Sequence, residues 1–431
     1  MERKTVRDAT VIGTGMAGLA AAFFAADQGM STAVVGSTGE ILFASGLIDL
    51  LGVHPVGEKR VWESPWEALK ALVRDEPAHP YARIPQAEVA AAVDAFAGFL
   101  TRAGLPYRCR KGANAMVLTS MGTVKPTYAV PASMWAGVEA YEKRSPCLIV
   151  GIAGLKGFSA RLVAENMRST WPGIRAATVD FVDSKTAEEV YAERIAWRLE
   201  SPEGRKALAG LLKPHIRDAR AVGLPAVLGL HRPGEVFSDV QRRLGVSIFE
   251  IPIMPPSVVG LRLKGAALGA LAKAGVEVFS EQRVHSVDNG PGEGFVLAVG
   301  NETQRCTIAT RSVILATGRF LGGGLRADRK RIREPLFDLP VHQAPERASW
   351  HRDTFLDPNG HPINRAGIEV DDAFRPLDRT GAVVHPALFA AGSILAHQDW
   401  MRQKCGAGLA LSTARAAVLA CRRLGKKERR F

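Results

Sequence analysis

Three glycines near the start of the chain have the spacing that lets a backbone approach a phosphate. They are Gly13, Gly15 and Gly18, in the stretch TVIGTGMAGLAAAFFAADQG over residues 10–29. A buried strand, a glycine turn and a helix in that order bring bare amides and the positive end of a helix dipole against an anion. Two later stretches agree with this reading. VILATG ends in Ala316-Thr317-Gly318, and LFAAGS ends in Gly392-Ser393. A last signal, Gly406-Ala407-Gly408, opens an alanine-rich helix. The bland alternative for each glycine is a tight turn or a packing contact with no ligand.

Residues 31–36, STAVVG, read as the second parallel strand. Folds that bind an adenine nucleotide usually end that strand with Asp or Glu, whose carboxylate holds the ribose about 20 residues after the glycine turn. Here the place holds Val35, Gly36 and Ser37, and Glu40 comes several residues later. A cofactor without the adenosine half needs no such carboxylate. Gly151, Gly154 and Gly157 form another run, but their G-x-x-G-x-x-G spacing favours a tight strand-to-helix connection over a second phosphate turn.

A histidine beside a bound cofactor could serve as a general base. His397 follows the Gly392-Ser393 strand end and is the candidate base, against a solvated or structural role; His54 and His342 are weaker candidates. Arg319, Arg326 and Arg333 follow the Ala316-Thr317-Gly318 strand, with Lys330 and Arg331 between them. Guanidinium forks suit a substrate phosphate, and a solvated or subunit-facing charge run is the alternative. The five cysteines, Cys109, Cys147, Cys306, Cys405 and Cys421, are spread widely and form no C-x-x-C pair. That argues against a zinc site, an iron–sulfur cluster or a disulfide framework in this chain, and for a reducing compartment. Cys405 reads as a packed thiol, and no metal is expected.

The chain has 431 residues, 47% of them hydrophobic, enough for real cores. No apolar run reaches the roughly 18–20 residues that span a bilayer, and no leader segment is visible, so a cytoplasmic protein is expected. Lys and Arg outnumber Asp and Glu 56 to 43, giving a net charge of +13. The excess fits an anionic substrate, an acidic partner or a membrane surface better than nucleic acid, for which no binding motif is present. The basic run from Arg422 to Arg430 reads as a solvated tail or a docking segment.

The elements follow an α/β plan: a Rossmann-like dinucleotide-binding core of parallel sheet plus β-meander, with an inserted α/β cap domain. The core is discontinuous. Its parts are expected at 1–52, 253–335 and 385–431, with an inserted α/β and cap region at 53–252 and a cap or interface segment at 336–384. A β-hairpin or meander is expected over 115–131, and a meander over 276–315.

The order of the three glycine signals resembles the flavoproteins with two dinucleotide-binding domains. FASGLIDLL, IMPPSVVGLRL, ATGRFLGGGL and IREPLFDLPV, over nearly the whole chain, resemble the B-subunit family of anaerobic glycerol-3-phosphate dehydrogenases. That resemblance implies a flavin subunit using FMN, in a cytosolic complex with a catalytic FAD-bearing A subunit. It also implies an iron–sulfur C subunit that attaches the complex to the membrane. The reaction implied is oxidation of sn-glycerol 3-phosphate to dihydroxyacetone phosphate, with electrons passing to the quinone pool in anaerobic respiration. The resemblance also places Ser45 and Gly46 in the loop near the isoalloxazine, or in a simple helix cap. It sets Gly392 and Ser393 where related flavoproteins have Gly-Asp on the ribityl chain. The amides of Gly406, Ala407 and Gly408 then suit the anionic edge of a reduced flavin, and Gly318 closes the returning strand beside it. Two other readings remain: a self-sufficient FAD oxidoreductase, which Glu40 would have to serve, and a flavin-free scaffold.

Overall fold

The segments 9–12 (ATVI) and 32–35 (TAVV) carry only small apolar and β-branched residues with no charge, the pattern of parallel strands covered on both faces. In the computed structural model they are strands Arg7–Ile12 and Thr32–Gly36, and Ala9, Val11, Val34 and Val35 are fully buried. The structure describes residues 6–428 apart from 38–39, 183–188, 291 and 304; for 40 and 426–428 it describes the backbone alone. Arg429 and Arg430 of the basic run lie outside the described residues, as does the side chain of Glu40.

The chain divides into two units. Residues 42–47 and 98–266 form one, and the rest of the described chain forms the other. The latter is built on a seven-stranded sheet and is called the first unit below. Its parallel part runs in the order Glu277–Ser280, Thr32–Gly36, Arg7–Ile12, Arg305–Leu315 and Leu388–Ala390. The long strand Arg305–Leu315 joins the parallel and antiparallel parts. Its second half pairs with Arg7–Ile12, and its first half pairs antiparallel with Phe295–Gly300, which continues to Arg283–Asn289. The meander expected over 276–315 is therefore corrected at its start: Glu277–Ser280 closes the parallel edge instead.

Helix Met16–Asp27 is apolar on all sides and buried from Ala17 to Ala25. Such a helix must be covered all round; the sheet lies on one side and helix Gly406–Glu428 on the other. Segment 48–97 also belongs to this unit, where the sequence suggests the inserted region from 53 onward. Hydrogen bonds tie it to the C-terminal piece. Gly52 and Val53 amides donate to the Gln403 carbonyl at 3.0 Å each, and Gly408 donates to Asp49 at 2.8 Å.

The second unit holds a four-stranded parallel sheet, Ser247–Ile251, Ala221–Pro225, Cys147–Ile152 and Ile174–Val179. Phe249, Trp171 and Leu148 fill its core. The hairpin expected near 115–131 is present as Ala115–Leu118 with Val124–Thr127. Residues 253–266 fall in this unit, because Arg262 is buried there against Glu250. The Gly151–Gly157 stretch is a tight connection. The following helix, Ala160–Met167, is capped by its own Ser159 Oγ, which accepts from the Leu162 amide. No helix among the described residues is long and apolar enough to cross a membrane.

Candidate functional site

The carboxyl ends of the parallel strands in the first unit are joined by a short ladder beyond the strands themselves. Gly13 donates to Val35 at 2.7 Å, Ala316 to Ile12 at 2.8 Å and Ala391 to Leu315 at 3.0 Å. This edge carries the crevice where strand order reverses, the place where open α/β sheets bind ligands.

The three opening glycines meet different demands there. Gly13 has φ 119°, and a β-carbon on it would overlap the Ala316 carbonyl. A β-carbon on Gly18 would overlap the Gly13 carbonyl. Both are glycines because the protein's own backbone leaves no room. Gly15 is different: its φ is −73°, open to any residue, and an added β-carbon would meet nothing within 4 Å. Gly15 is also the N-cap of the first helix, with no side-chain cap and no acid in the first turn. Its open face and that helix's unpaired amides form a cradle for an anionic group.

A cavity of about 380 Å³ opens on this cradle, within the range of sites for small ligands. Beyond Gly13, Thr14 and Gly15 it is lined by Val35, Gly36 and Ser37, by Gln282 to His285, and by Ala316 and Thr317. Two buried polar atoms on its wall, Gln282 Oε1 and Thr317 Oγ1, have no hydrogen-bond partner. Orphaned buried oxygens are costly unless a ligand or water satisfies them. The amides at Gly15 and these two oxygens suit a ligand that pairs an anionic group with hydroxyls or amines.

The missing acid at the end of the second strand has a local cause. A β-carbon on Gly36 would stand 2.5 Å from Thr14 Oγ1, and that hydroxyl donates to the Ser37 carbonyl at 3.0 Å. Packing against Thr14 leaves no room for a side chain at Gly36.

Elsewhere on this edge the structure sorts the candidates. Gly318 adopts φ 69°, and Gly324 packs so closely that its β-carbon would overlap the Gly318 carbonyl. Gly392 has φ 83°, and its β-carbon would lie 2.5 Å from Ala17 at the first helix. Its amide donates to Thr413 Oγ1 of the last helix at 2.9 Å. Ser393 is half-buried, and its carbonyl accepts from Arg319 and Gln398. Gly408 is a packing glycine whose amide already serves the Asp49 carbonyl; Gly406 and Ala407 stand half-buried in the first turn of helix Gly406–Glu428, and a β-carbon on Gly406 would lie 2.9 Å from the Trp400 ring. Cys405 is fully buried, and burial pushes its thiol well above the usual range, as suits a packed and inert group.

Ser45 and Gly46 belong to the second unit. Gly46, at φ 80°, accepts from the Tyr107 hydroxyl at 2.7 Å, and Ser257 Oγ donates to the neighbouring Ala44 carbonyl at 2.7 Å.

The arginine cluster is corrected. Arg319 donates to three carbonyls, Ser393 at 2.8 Å, Gln398 at 3.0 Å, and Asn364. It clamps the loop after the Gly392 turn, with each of its three nitrogens engaged by a backbone carbonyl. Arg326 and Arg333 face each other across a two-stranded ribbon. Arg326 lines the cavity at the glycine turn, while Arg333 lines a separate cavity of about 740 Å³.

His397 has φ 64°, a left-handed conformation, and its Nε2 lies 2.7 Å from Glu369 Oε1. His342 lies beside it, and burial first, then the charge of His397, lowers its pKa. His54 is buried and paired with Asp75 at 3.0 Å. Sequence reasoning misses Thr14, Gln282 and Glu369. None sits in a local pattern, although Thr14 lies inside the glycine turn and could have been read as its neighbour.

The family described as FAD binding domain matches residues 8–409. A Halobacterium salinarum protein, named as the probable B subunit of an anaerobic glycerol-3-phosphate dehydrogenase, is 34% identical over 421 residues, covering 94% of this chain and 96% of the relative. Proteins named as B subunits of the anaerobic glycerol-3-phosphate dehydrogenase are 32% identical in Pectobacterium carotovorum, over 94% of this chain and 96% of the relative, and 28% identical in Vibrio vulnificus, over 95% of both.

Proposed function

The chain belongs to the FAD binding domain family and, within it, to the B-subunit family of anaerobic glycerol-3-phosphate dehydrogenases, and from that premise we propose that it is a flavin-bearing relay subunit of a glycerol-3-phosphate:quinone dehydrogenase complex. In this reading a catalytic A subunit meets sn-glycerol 3-phosphate. Electrons leave through an iron–sulfur C subunit at the cytoplasmic face of the membrane toward the quinone pool. A bound flavin supplies hydride acceptance and release in one- or two-electron steps.

The chain's own residues do the holding. The observation that carries the reading is the open face of Gly15 before an uncapped helix N-terminus. That end carries partial positive charge and fixes a phosphate without a side-chain cation. Thr317 Oγ1 and Gln282 Oε1 are the orphaned groups for ligand hydroxyls or amines. The Gly406 and Ala407 amides, at the start of the last helix, suit the edge of a ring that becomes anionic on reduction. Arg319 fixes the loop that follows Gly392 and Ser393.

FMN, expected from the absent carboxylate, gives way to FAD in this proposal. The family's description supports FAD. So does the cavity, which continues from the glycine turn past Val35 and Ser37 to Gln282 and His285, room that a mononucleotide phosphate does not need. The crowding of Gly36 by Thr14 accounts for the missing acid without reference to the ligand.

Heat release of the flavin from the purified chain, followed by chromatography, tests this. Stoichiometric FAD is expected; FMN would restore the mononucleotide reading, and no flavin would leave a scaffold. A second measurement is dye-linked oxidation of glycerol 3-phosphate. The isolated chain should turn over slowly and the assembled complex rapidly; full turnover by the chain alone would reject the relay.

A further inference from the structure

His342, Glu369 and His397 take no part in the flavin reading, yet they converge. Each offers one ligand atom, and the three atoms lie within 4.8 Å of one another. Glu369 Oε1 is the hub, 2.7 Å from His397 Nε2 and 3.7 Å from His342 Nδ1. The imidazole centroids are 4.2 Å apart, with the rings inclined at 47°. We propose that His342, Glu369 and His397 form a binding site for a divalent transition-metal cation, with two imidazole nitrogens and one carboxylate oxygen as ligands.

The donor set suits such an ion. Two imidazoles and one carboxylate, with further positions open, are a recurrent set for zinc and for non-haem iron(II). Metal–ligand bonds of about 2.0–2.1 Å place neighbouring ligand atoms about 3.0–3.4 Å apart. The two separations from Glu369, 2.7 and 3.7 Å, straddle that range, and with all three ligand atoms within 4.8 Å of one another, side-chain rotation would close the site. The side chains have room to make them, since His397, His342 and Glu369 are 24, 45 and 50% exposed.

The backbone beneath them is held firmly. His342 exchanges hydrogen bonds with Gly367, at 2.7 and 3.1 Å. Ile368 donates to Ile394 at 2.9 Å, and Ala396 donates to Ile368 at 3.0 Å. The three ligands thus rise from three laterally bonded segments, the rigid support that a metal site requires. His397 is held at φ 64°, a conformation that costs a non-glycine residue energy and persists only where its surroundings impose it. Its amide is fixed by the Arg365 carbonyl at 3.0 Å.

His342 and Glu369 also line the cavity of about 740 Å³ that Arg331, Arg333 and Arg379 share. The open coordination positions give onto that space, where an oxyanionic ligand would find both the cation and the guanidinium groups. Nothing in the sequence pattern signals this set, because its members lie far apart along the chain.

The inference is independent of the flavin reading, and its test does not use activity. The tag-free full chain, stripped with a chelator, is titrated with Co²⁺ and then with Zn²⁺ in competition. One tightly held equivalent of Co²⁺ is expected, with visible ligand-field bands that Zn²⁺ abolishes. His342→Ala and Glu369→Gln should each weaken binding by about tenfold or more, while His351→Ala should leave it unchanged. Co²⁺ should also shift imidazole proton resonances of two histidines in the wild-type chain, which decides the matter even if both variants fail to fold. No stoichiometric uptake, no shifted histidine resonances, or unaltered binding in folded His342→Ala and Glu369→Gln chains would overturn the proposal and leave a hydrogen-bonded His–Glu–His cluster.

Discussion

A β-carbon placed on Gly18 would overlap the carbonyl oxygen of Gly13, whereas one placed on Gly15 would meet no heavy atom within 4 Å. The two glycines of one motif therefore meet different surroundings, the first the protein's own backbone and the other open space. Gly18→Ala should cost about 3 kcal/mol or prevent folding, since backbone cannot retreat as a side chain can. Gly15→Val should fold with an almost unchanged melting temperature and lose most of its flavin. Melting curves together with the flavin-to-protein absorbance ratio check both. A Gly15→Val chain that keeps a full complement of flavin would remove the phosphate from this turn.

Arg319 reaches three carbonyls, those of Ser393, Asn364 and Gln398. Arg319→Ala removes this donor from the Asn364 and Gln398 carbonyls, while Ser393 keeps Gln398, and should cost about 2 kcal/mol, at about 1–3 kcal/mol for an unmet buried partner. Lysine cannot restore a three-way fork. In the assembled enzyme the KM for glycerol 3-phosphate should stay near the wild-type value while thermal stability falls. A large rise in KM at unchanged stability would return Arg319 to the substrate.

Glu250 and Arg262 are 1 and 5% exposed and bonded through both carboxylate oxygens, at 2.7 and 2.9 Å. Arg262 Nε also donates to the Gly229 carbonyl at 2.7 Å. Removing one partner strands a buried charge, so Arg262→Met should cost about 3–5 kcal/mol. The double variant Glu250→Gln with Arg262→Met should recover part of that loss, because no unpaired charge remains. Urea unfolding of the four chains measures the coupling; strictly additive losses would contradict it.

His79 is fully buried beside Tyr81, with the ring centroids 5.4 Å apart. Burial, above all, lowers its pKa from 6.5 to about 3. Between those values the unfolded chain binds a proton that the folded chain refuses. Stability from this group is therefore complete above pH 6.5 and declines as pH falls toward 3, by about 1.4 kcal/mol per unit. Unfolding midpoints at pH 7 and pH 5 should differ less in His79→Gln than in wild type, by about 2 kcal/mol of free energy. Equal acid sensitivity in the two chains would show that His79 is protonated in the fold.

Legibility in the sequence follows the range of the interaction. The opening strand, glycine turn and helix can be read because their signals are local. An unbroken apolar run means a strand covered on both faces, and Ala17 to Ala25 can only be an enclosed helix. The returning strand ending at Leu315 can be read on the same ground. The apolar face recurring through residues 86–102 is observed as helix Gln86–Arg102. Strand Leu388–Ala390 is shorter than its apolar run suggests, because its three buried residues continue into apolar turns with no change in pattern.

The placement of charged and polar side chains is not legible. Arg319, Arg326 and Arg333 look like one cluster along the chain, yet Arg319 bonds to carbonyls 45 to 79 residues away. Its role depends on which loop ends beside it. His397 stands out for the strand it follows, while its partners Glu369 and His342 come from segments that only sheet-like bridging brings alongside. The absent acid at Gly36 is visible in the sequence, but its cause is not. Thr14, the side chain that excludes it, becomes a neighbour only when strand and turn pack together.

By itself the sequence determined the parallel core, the glycine turn and membership in a flavoprotein family, because periodicity and short motifs are local properties of the chain. Tertiary structure alone decided which glycine of the turn stands in open space, which arginine is bound to backbone and which histidines share a carboxylate. Those outcomes depend on distances of a few ångströms between residues remote along the chain, and no local pattern encodes them.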